Sequence, residues 1–102
     1  MYQLVIQFRG DGMPTLEALI HLEDQFLDTL GETADVDGHD IGDGEANIFV
    51  MTADPDAALA RVLPILKAER SFPKVRAAYR HIEGETYTVL WPADFYGKFT
   101  VQ

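Results

Sequence analysis

Several kinds of side chain are scarce or missing in this chain of 102 residues. It contains no cysteine and a single serine, Ser71, so disulfides, thiolate metal sites and thiol nucleophiles are excluded. No apolar run approaches the roughly 18 residues that a membrane-spanning helix needs. The first residues lack the basic region and long apolar segment of a signal peptide. Because the absence of cysteine is also common in reducing compartments, these features predict a soluble cytoplasmic protein that does not bind membranes.

Basic side chains are few and unevenly placed. The chain has 8 Lys and Arg against 17 Asp and Glu, a formal charge of −9. Residues 1–60 hold 13 acidic side chains and one arginine, a balance of −12, whereas residues 61–102 hold 4 acidic and 7 basic side chains, a balance of +3. A phosphate-backbone binder needs a surplus of Lys and Arg, so nucleic-acid binding is disfavoured. The acidic half favours a basic partner; the alternative is that its acids only keep the protein soluble.

Hydrophobic periodicity predicts a single domain, residues 1–102, that contains five strands and two helices. Apolar residues make up 47% of the chain, which is enough for a core that needs no metal or disulfide. The predicted elements are a strand at 2–9, a helix at 14–30, an acidic β-hairpin at 32–51, a helix from 54 onward, and strands at 74–82 and 86–91. The segment that follows is predicted to dock on the body through its apolar side chains, namely Phe95, Tyr96, Phe99 and Val101.

Both predicted helices carry one apolar stripe. The stripe of the first helix consists of Leu16, Leu19, Ile20, Phe26, Leu27 and Leu30. Pro14 is predicted in its first turn, and Gly31 ends it. The second helix is predicted to begin at Asp54 and Pro55 and to bury Leu59, Val62, Leu63 and Leu66. Pro64 interrupts this stripe, which predicts either a kink near 60–64 or a separate short helix from Pro64 onward.

The order β-α-β-β-α-β followed by one more strand resembles the ferredoxin-like α+β sandwich. This resemblance covers nearly the whole chain. It implies an antiparallel sheet in the order 4-1-3-2, with the fifth strand beside the fourth and both helices on one face. Because the same fold serves many unrelated functions, it implies no activity. The string from Asp37 to Phe49 also resembles that of small bacterial proteins of unknown function.

The predicted hairpin is strongly acidic and rich in glycine. Val36 and Ile41 have opposite parity, so a bulge near Gly38 and His39 is needed to bring both to one face. The turn is predicted at 42–44, where two glycines allow positive φ angles. The returning strand buries Ala46, Ile48 and Val50, or alternatively Asn47, Phe49 and Met51; the first set is favoured. The candidate partner-binding residues are Asp35, Asp37, His39, Asp40, Asp43 and Glu45.

His39 lies among these acids, which raises the alternatives of a metal ligand and a general base. The spacing of a calcium loop fails whether it starts at Asp35 or at Asp37, and a zinc site would need further His or Cys. A base oriented by Asp37 or Asp40 would have no serine nucleophile beside it. We therefore expect no metal, no cofactor and no catalytic residue, and a hairpin tip that is solvated.

The sheet face opposite the helices is predicted to be both apolar and cationic. Its candidate residues are Arg9, Phe49, Met51, Arg76 and Arg80. Soluble monomers seldom leave a large apolar patch bare, so either the tail at 95–101 or a second subunit is expected to cover it. The tail is the simpler cover because it is already tethered. The alternative is a binding face for a partner or a small anion.

These features favour a non-catalytic interaction module that binds a protein partner, such as an inhibitor or immunity-type factor against a basic target. The protein would be a monomer or a homodimer. The alternative is a small ligand-binding protein or enzyme of the dimeric ferredoxin-like kind. Such a protein would need a pocket between helices and sheet, or on the open face, that holds His39, Tyr79 or an arginine.

Overall fold

The computed structural model describes residues 1–10, 13–69, 75–93, 95 and 97–101. Its elements are β1 (Tyr2–Arg9), α1 (Leu16–Leu30), a 3-10 turn (Gly31–Thr33), β2 (Ala34–Gly42), β3 (Glu45–Thr52), α2 (Pro55–Lys67), β4 (Val75–His81) and β5 (Thr88–Trp91). This order confirms the predicted succession of strands and helices. Lys74, predicted to begin the fourth strand, and Tyr96 of the tail lie outside the described residues.

The strands form one sheet in the order β2-β3-β1-β4-β5, and each neighbouring pair is antiparallel. The first four strands thus follow the order 4-1-3-2 of the ferredoxin-like sandwich, with β5 beside β4, as predicted. β1 is the central strand. It pairs over its whole length with β3, from Tyr2 opposite Thr52 to Arg9 opposite Glu45. Of the helices in the described part of the chain, neither is long and apolar enough to cross a membrane.

The main core lies between the sheet and the two helices. In β1, Leu4, Ile6 and Phe8 are fully buried on this side. Their partners directly across β3 are Val50, Ile48 and Ala46. The favoured set for the returning strand is therefore confirmed. Only one of the two sets can face the helices, because successive side chains of a strand point to opposite faces of the sheet.

The orientation of α1 differs from the prediction. Thr15 is its N-cap, with the hydroxyl accepting a hydrogen bond from the Ala18 amide at 3.2 Å, so Pro14 precedes the helix. The buried residues are Leu19, Leu22, Phe26 and Leu30. Three predicted stripe residues are instead 52%, 44% and 51% exposed, namely Leu16, Ile20 and Leu27. A helix that lies flat on a sheet buries only one sector of its surface, and the apolar residues of α1 cover a wider one.

The second helix begins as predicted. The Asp54 carboxylate accepts a hydrogen bond from the Ala57 amide at 3.1 Å, and Pro55 occupies the first turn. The helix continues through Pro64 to Lys67, so the alternative of a separate short helix is wrong. Both Pro64 and Ala60 are exposed. The Ala60 carbonyl, which loses its intrahelical donor to the proline, can therefore bond to water, and the cost of the proline is reduced. The predicted kink stays a prediction.

The tail covers the open face of the sheet. Phe99, only 5% exposed, packs with Val5 and Ala78 in a second apolar cluster, and Val101 contributes to its edge. The Gln7 side-chain amide donates a hydrogen bond to the Thr100 carbonyl at 2.9 Å. Of the two predicted covers, the structure thus contains the tethered one.

We expect Phe99→Ala to lower the free energy of unfolding by about 3 kcal/mol, because it removes a buried aromatic ring from this second cluster. Urea denaturation measures the loss. Lys98→Ala, at the exposed neighbouring position, is the control and should change stability by less than about 0.5 kcal/mol. Equal transition midpoints for the two variants would show that the tail contributes no stability.

Candidate functional site

A bulge shapes the hairpin formed by β2 and β3. Val36 lies opposite Val50, but Gly38 lies opposite Phe49, so Asp37 is an extra residue in β2. Gly38 has a φ of 125°, a conformation that residues with a Cβ rarely adopt. The predicted bulge is confirmed. Ile41 pairs with Ala46 and therefore lies on the helix-facing side, as Val36 does, although its side chain is 40% exposed.

The hairpin closes through a two-residue turn. Gly42 pairs with Glu45, and the residues between them, Asp43 and Gly44, have φ angles of 53° and 77°. Two positive φ angles match a type I′ turn, whose twist suits the strands of a hairpin. The Gly44 carbonyl also accepts a hydrogen bond from the Gly10 amide at 3.2 Å. The turn is therefore tied to the end of the central strand.

Four of the predicted acids lie exposed along this hairpin, namely Asp35, Asp37, Asp40 and Asp43. β2 is an edge strand of the sheet, and charged side chains at an edge discourage further strand pairing. No Lys or Arg occurs between residues 10 and 60. In the described part of the chain, the ion pairs involve none of these four carboxylates. With His39, these residues form what we call the acidic hairpin surface.

The partner of His39 is Glu23 of α1, with 2.6 Å between the imidazole Nδ1 and a carboxylate oxygen. The side chain of His39 is 31% exposed and that of Glu23 is 13% exposed. The alternative of a base oriented by Asp37 or Asp40, which was not favoured, names other carboxylates than the one that contacts the imidazole. Tertiary packing brings Glu23 to His39, because the bulge turns His39 toward the helices. This contact fixes the imidazole and ties the edge strand to α1.

Glu45 does not belong to the exposed acids, contrary to the prediction. It is 1% exposed and lies opposite Arg9, whose Nε is 4.0 Å from a carboxylate oxygen. The other carboxylate oxygen accepts hydrogen bonds from Asn47 at 2.8 Å and from Gln7 at 3.3 Å. The parity of β3 places Glu45 and Asn47 on the open face, where Arg9 and Gln7 of the central strand face them. Glu45 therefore stabilises the fold from within.

Gln7 and Asn47 were expected on the open face but were left out of its candidate residues. Both are at most 1% exposed, and the Gln7 amide donates to the Asn47 side-chain oxygen at 3.0 Å. Gln7 also reaches the tail through the Thr100 carbonyl. Their signal in the sequence is an amide between two apolar residues of a strand, Gln7 in β1 and Asn47 in β3, where a buried amide needs partners.

The three arginines predicted for the open face are engaged within the chain. Arg9 contacts Glu45, and the Arg76 guanidinium lies 4.8 Å from the centroid of the Phe95 ring, a cation–π geometry. Arg80 donates through Nε to Gln3 at 3.1 Å. Its Nη1 donates to the carbonyls of the turn after β4, those of His81, Ile82 and Gly84. The open face thus uses its cations to hold the tail and this turn.

The other predicted open-face residues are Phe49 and Met51, both partly buried. Phe49 packs against the cluster that contains Phe99. Tyr79, proposed for a ligand pocket, packs edge-on against Tyr2 with 5.4 Å between the ring centroids. Phe49 on the open face and Tyr79 on the helix-facing side, where it lies opposite Leu4, both therefore make contacts within the chain.

The pockets in the described part of the chain include two open ones. The first, of about 160 Å³, lies at the start of α2 and is lined by residues that include Thr33, Asp54 and Arg61. The second, of about 470 Å³, lies between the tail and the segment before β5, and its lining includes Tyr87 and Lys98. Neither is lined by His39 or Tyr79, and the arginine that lines the first, Arg61, is none of the three predicted for the open face.

We expect Glu45→Gln to lower the free energy of unfolding by about 2 kcal/mol. A carboxylate accepts hydrogen bonds on both oxygens, whereas an amide would place an NH₂ group against Arg9 or against the amides of Gln7 and Asn47. Chemical denaturation checks this. The matched control is Asp43→Asn at the exposed turn, where asparagine tolerates a positive φ and stability should hardly change. A destabilisation no larger than that of the control would contradict the buried role of Glu45.

Added Ca²⁺, Mg²⁺ or Zn²⁺ should leave the melting temperature unchanged. Among the described residues, no group of three or more His, Asp or Glu is placed to hold a metal ion, and an ion that binds the folded state would have to stabilise it by mass action. Differential scanning fluorimetry with each ion tests this. A rise of several degrees that disappears in His39→Ala or Asp37→Ala would reveal a metal site in the hairpin.

Comparison with known proteins finds no relative that would support the resemblance between the string 37–49 and small bacterial proteins. The chain matches no family model, no curated protein and no solved structure. The arrangement of strands and helices establishes the α+β class, and a fold alone assigns no activity. The function must therefore be argued from the surface that this fold presents.

Proposed function

We propose that this protein is a non-catalytic interaction module that binds a basic protein through its acidic hairpin surface, in the manner of an inhibitor or immunity-type factor. One observation carries the proposal. The carboxylates of Asp35, Asp37, Asp40 and Asp43 are exposed on an edge hairpin and have no ion-pair partner in the described part of the chain. Lys and Arg side chains of a partner would supply the missing counter-charges.

The hairpin supports this proposal because its shape is held in place before binding. The bulge at Asp37 and the turn at Asp43 fix its backbone. The contact of His39 with Glu23 and the hydrogen bond from Gly10 to Gly44 attach it to α1 and to β1. Ordering a flexible segment on binding costs free energy, so a segment that is already ordered binds more tightly for the same contacts.

The charge distribution supports a basic partner in particular. Residues 1–60 carry a balance of −12, and the surface acids of this segment include those of the hairpin. A field of one sign accelerates the encounter with an oppositely charged partner and orients it. Salt screens such attraction over about 10 Å at 0.1 M. Binding through this surface should therefore weaken as the salt concentration rises.

The ligand-binding or enzymatic alternative has less support from the arrangement of side chains. A pocket between helices and sheet would lie where Leu4, Ile6 and Phe8 pack against both helices. A site on the open face would lie where Phe99 covers Val5. Core side chains fill the first location. At the second the tail covers Val5, and the pocket of about 470 Å³ beside it is lined by neither His39, Tyr79 nor an arginine.

A pair of triple variants with equal net charge tests the proposal. Asp37→Asn, Asp40→Asn and Asp43→Asn neutralise the hairpin, whereas the matched control carries Asp56→Gln, Glu83→Gln and Glu85→Gln at exposed positions elsewhere. In a native lysate at low salt, we expect the wild type and the control to retain a basic protein. We expect the hairpin variant to bind that protein at least tenfold more weakly, about 1.4 kcal/mol, as titration with the isolated partner would measure.

Two outcomes would contradict this proposal. One is that the wild type retains no protein at low salt, where attraction between opposite charges is strongest. The other is that the hairpin and control variants bind equally well, which would mean that overall charge acts and not the arrangement of carboxylates on the hairpin.

A further inference from the structure

Four large apolar side chains lie exposed on one flank of the molecule. Leu16, Ile20 and Leu27 are 52%, 44% and 51% exposed, and Ile41 of β2 is 40% exposed. The three residues of α1 are four and seven positions apart, which places them on one side of a helix with about 3.6 residues per turn. Ile41 points to the helix-facing side of β2, since it pairs with the core residue Ala46. We call these four residues the apolar strip.

The contact between Glu23 and His39 locates this strip. Glu23 lies between Ile20 and Leu27 along the same side of α1, and it reaches His39 of β2 at 2.6 Å. His39 precedes Ile41 by two residues and so shares its face of the strand. The strip therefore follows the flank where α1 lies over the edge strand, next to the acidic hairpin surface. Its exposure shows that no described part of the chain covers it.

Acidic side chains line one side of the strip. Glu17, Asp24 and Asp28 are exposed on the adjoining side of α1, away from the core, whereas Asp40 of β2 pairs with Asn47 and points to the opposite face of the sheet. No Lys or Arg occurs between residues 10 and 60. Two copies of this chain that met through the strip would bring like charges together, which is costly across an interface. The charge pattern thus opposes a second copy and favours a cationic occupant.

We propose that the apolar strip docks a cationic amphipathic helix of the partner protein. This inference rests on the proposed function and names the segment of the partner that makes contact. The helix would place apolar side chains at positions i, i+3 or i+4, and i+7 on the strip. Its Lys and Arg side chains would reach Glu17, Asp24 and Asp28 on the exposed side of α1.

A helix suits this flank better than an added strand. The outer edge of β2 is interrupted by the bulge at Asp37 and carries acidic side chains, both of which hinder strand addition. The exposed apolar residues of α1 instead repeat at helical spacing. A second helix can therefore pack along α1, with the ridges of one helix in the grooves of the other. α1 contains 15 residues and is about 22 Å long, which is enough for about four turns of a partner helix.

The test uses two synthetic peptides of leucine and lysine with the same composition. One places its leucines along one side of a helix, and the other has a scrambled order. Fluorescence anisotropy with the full-length protein measures both affinities. We expect the amphipathic peptide to bind about tenfold more tightly than the scrambled one, because only the first can bring its apolar side chains to the strip together.

Two variants locate the effect. Ile20→Gln with Leu27→Gln removes two apolar side chains from exposed positions, and glutamine keeps the helix propensity; this variant should lose the preference for the amphipathic peptide. Ile82→Gln is the control, since Ile82 is 44% exposed in the turn after β4, far along the chain from the strip. It should retain the preference. Circular dichroism and melting temperature verify that both variants are folded.

Several outcomes would overturn the inference. These are equal binding of the two peptides, failure of both to bind, or a preference that persists in the double variant. Sedimentation that showed a wild-type dimer, dissociated by Ile20→Gln with Leu27→Gln, would identify a second copy as the occupant. In each case the proposed function is judged separately, because the hairpin asparagine variants and the isolated partner test the carboxylates without the strip. If the hairpin variants lost partner binding, the proposed function would stand, and only the docking of a helix on the strip would be rejected.

Discussion

The burial of β1 on both faces is the constraint on which the structure depends. It is the central strand, and Leu4, Ile6 and Phe8 on one side, like Val5 and Gln7 on the other, are inaccessible to solvent. Many antiparallel sheets bury one face and leave the other in water. Here the helices cover one face of β1, and β5 with the tail extends the buried region on the other. The tail is therefore part of the fold and not an appendage to it.

Gln7 adds directed hydrogen bonds to the apolar contacts that bury the second face of β1. An amide removed from water costs free energy unless it forms hydrogen bonds, and Gln7 bonds to Glu45, Asn47 and the Thr100 carbonyl. This requirement draws Glu45 inward and fixes the tail against the sheet. It also divides the acids of the hairpin into Glu45, which stabilises the fold, and the aspartates, which remain available to a partner. Neighbouring carboxylates of one hairpin thus differ in their surroundings: Glu45 is buried, and the aspartates are exposed.

Structural features that depend on local sequence pattern could be predicted, whereas features that depend on contacts between distant residues could not. Alternation assigned the faces of β1 and β3, and the mismatch between Val36 and Ile41 located the bulge. Periodicity could not give the rotation of α1, because its apolar residues cover a wider sector than the sheet can bury, so Leu22 replaced Leu16 in the core. Of the candidate site, the exposed aspartates were predictable from composition. The burial of Glu45 was not, because it depends on Arg9, a residue 36 positions away that only the register of β1 and β3 brings opposite.

The bulge at Asp37 divides β2 into two parts that differ in how their side chains are packed. Ala34 and Val36, before it, contact the core, so their size is restricted by packing. Asp40 and Ile41, after it, lie at the surface, where substitutions change charge and shape without altering the volume of the core. Under the proposed function, substitutions at Asp40 or Ile41 would therefore change recognition without altering the packing of Ala34 and Val36. The binding surface could then vary while the sheet that displays it stays the same.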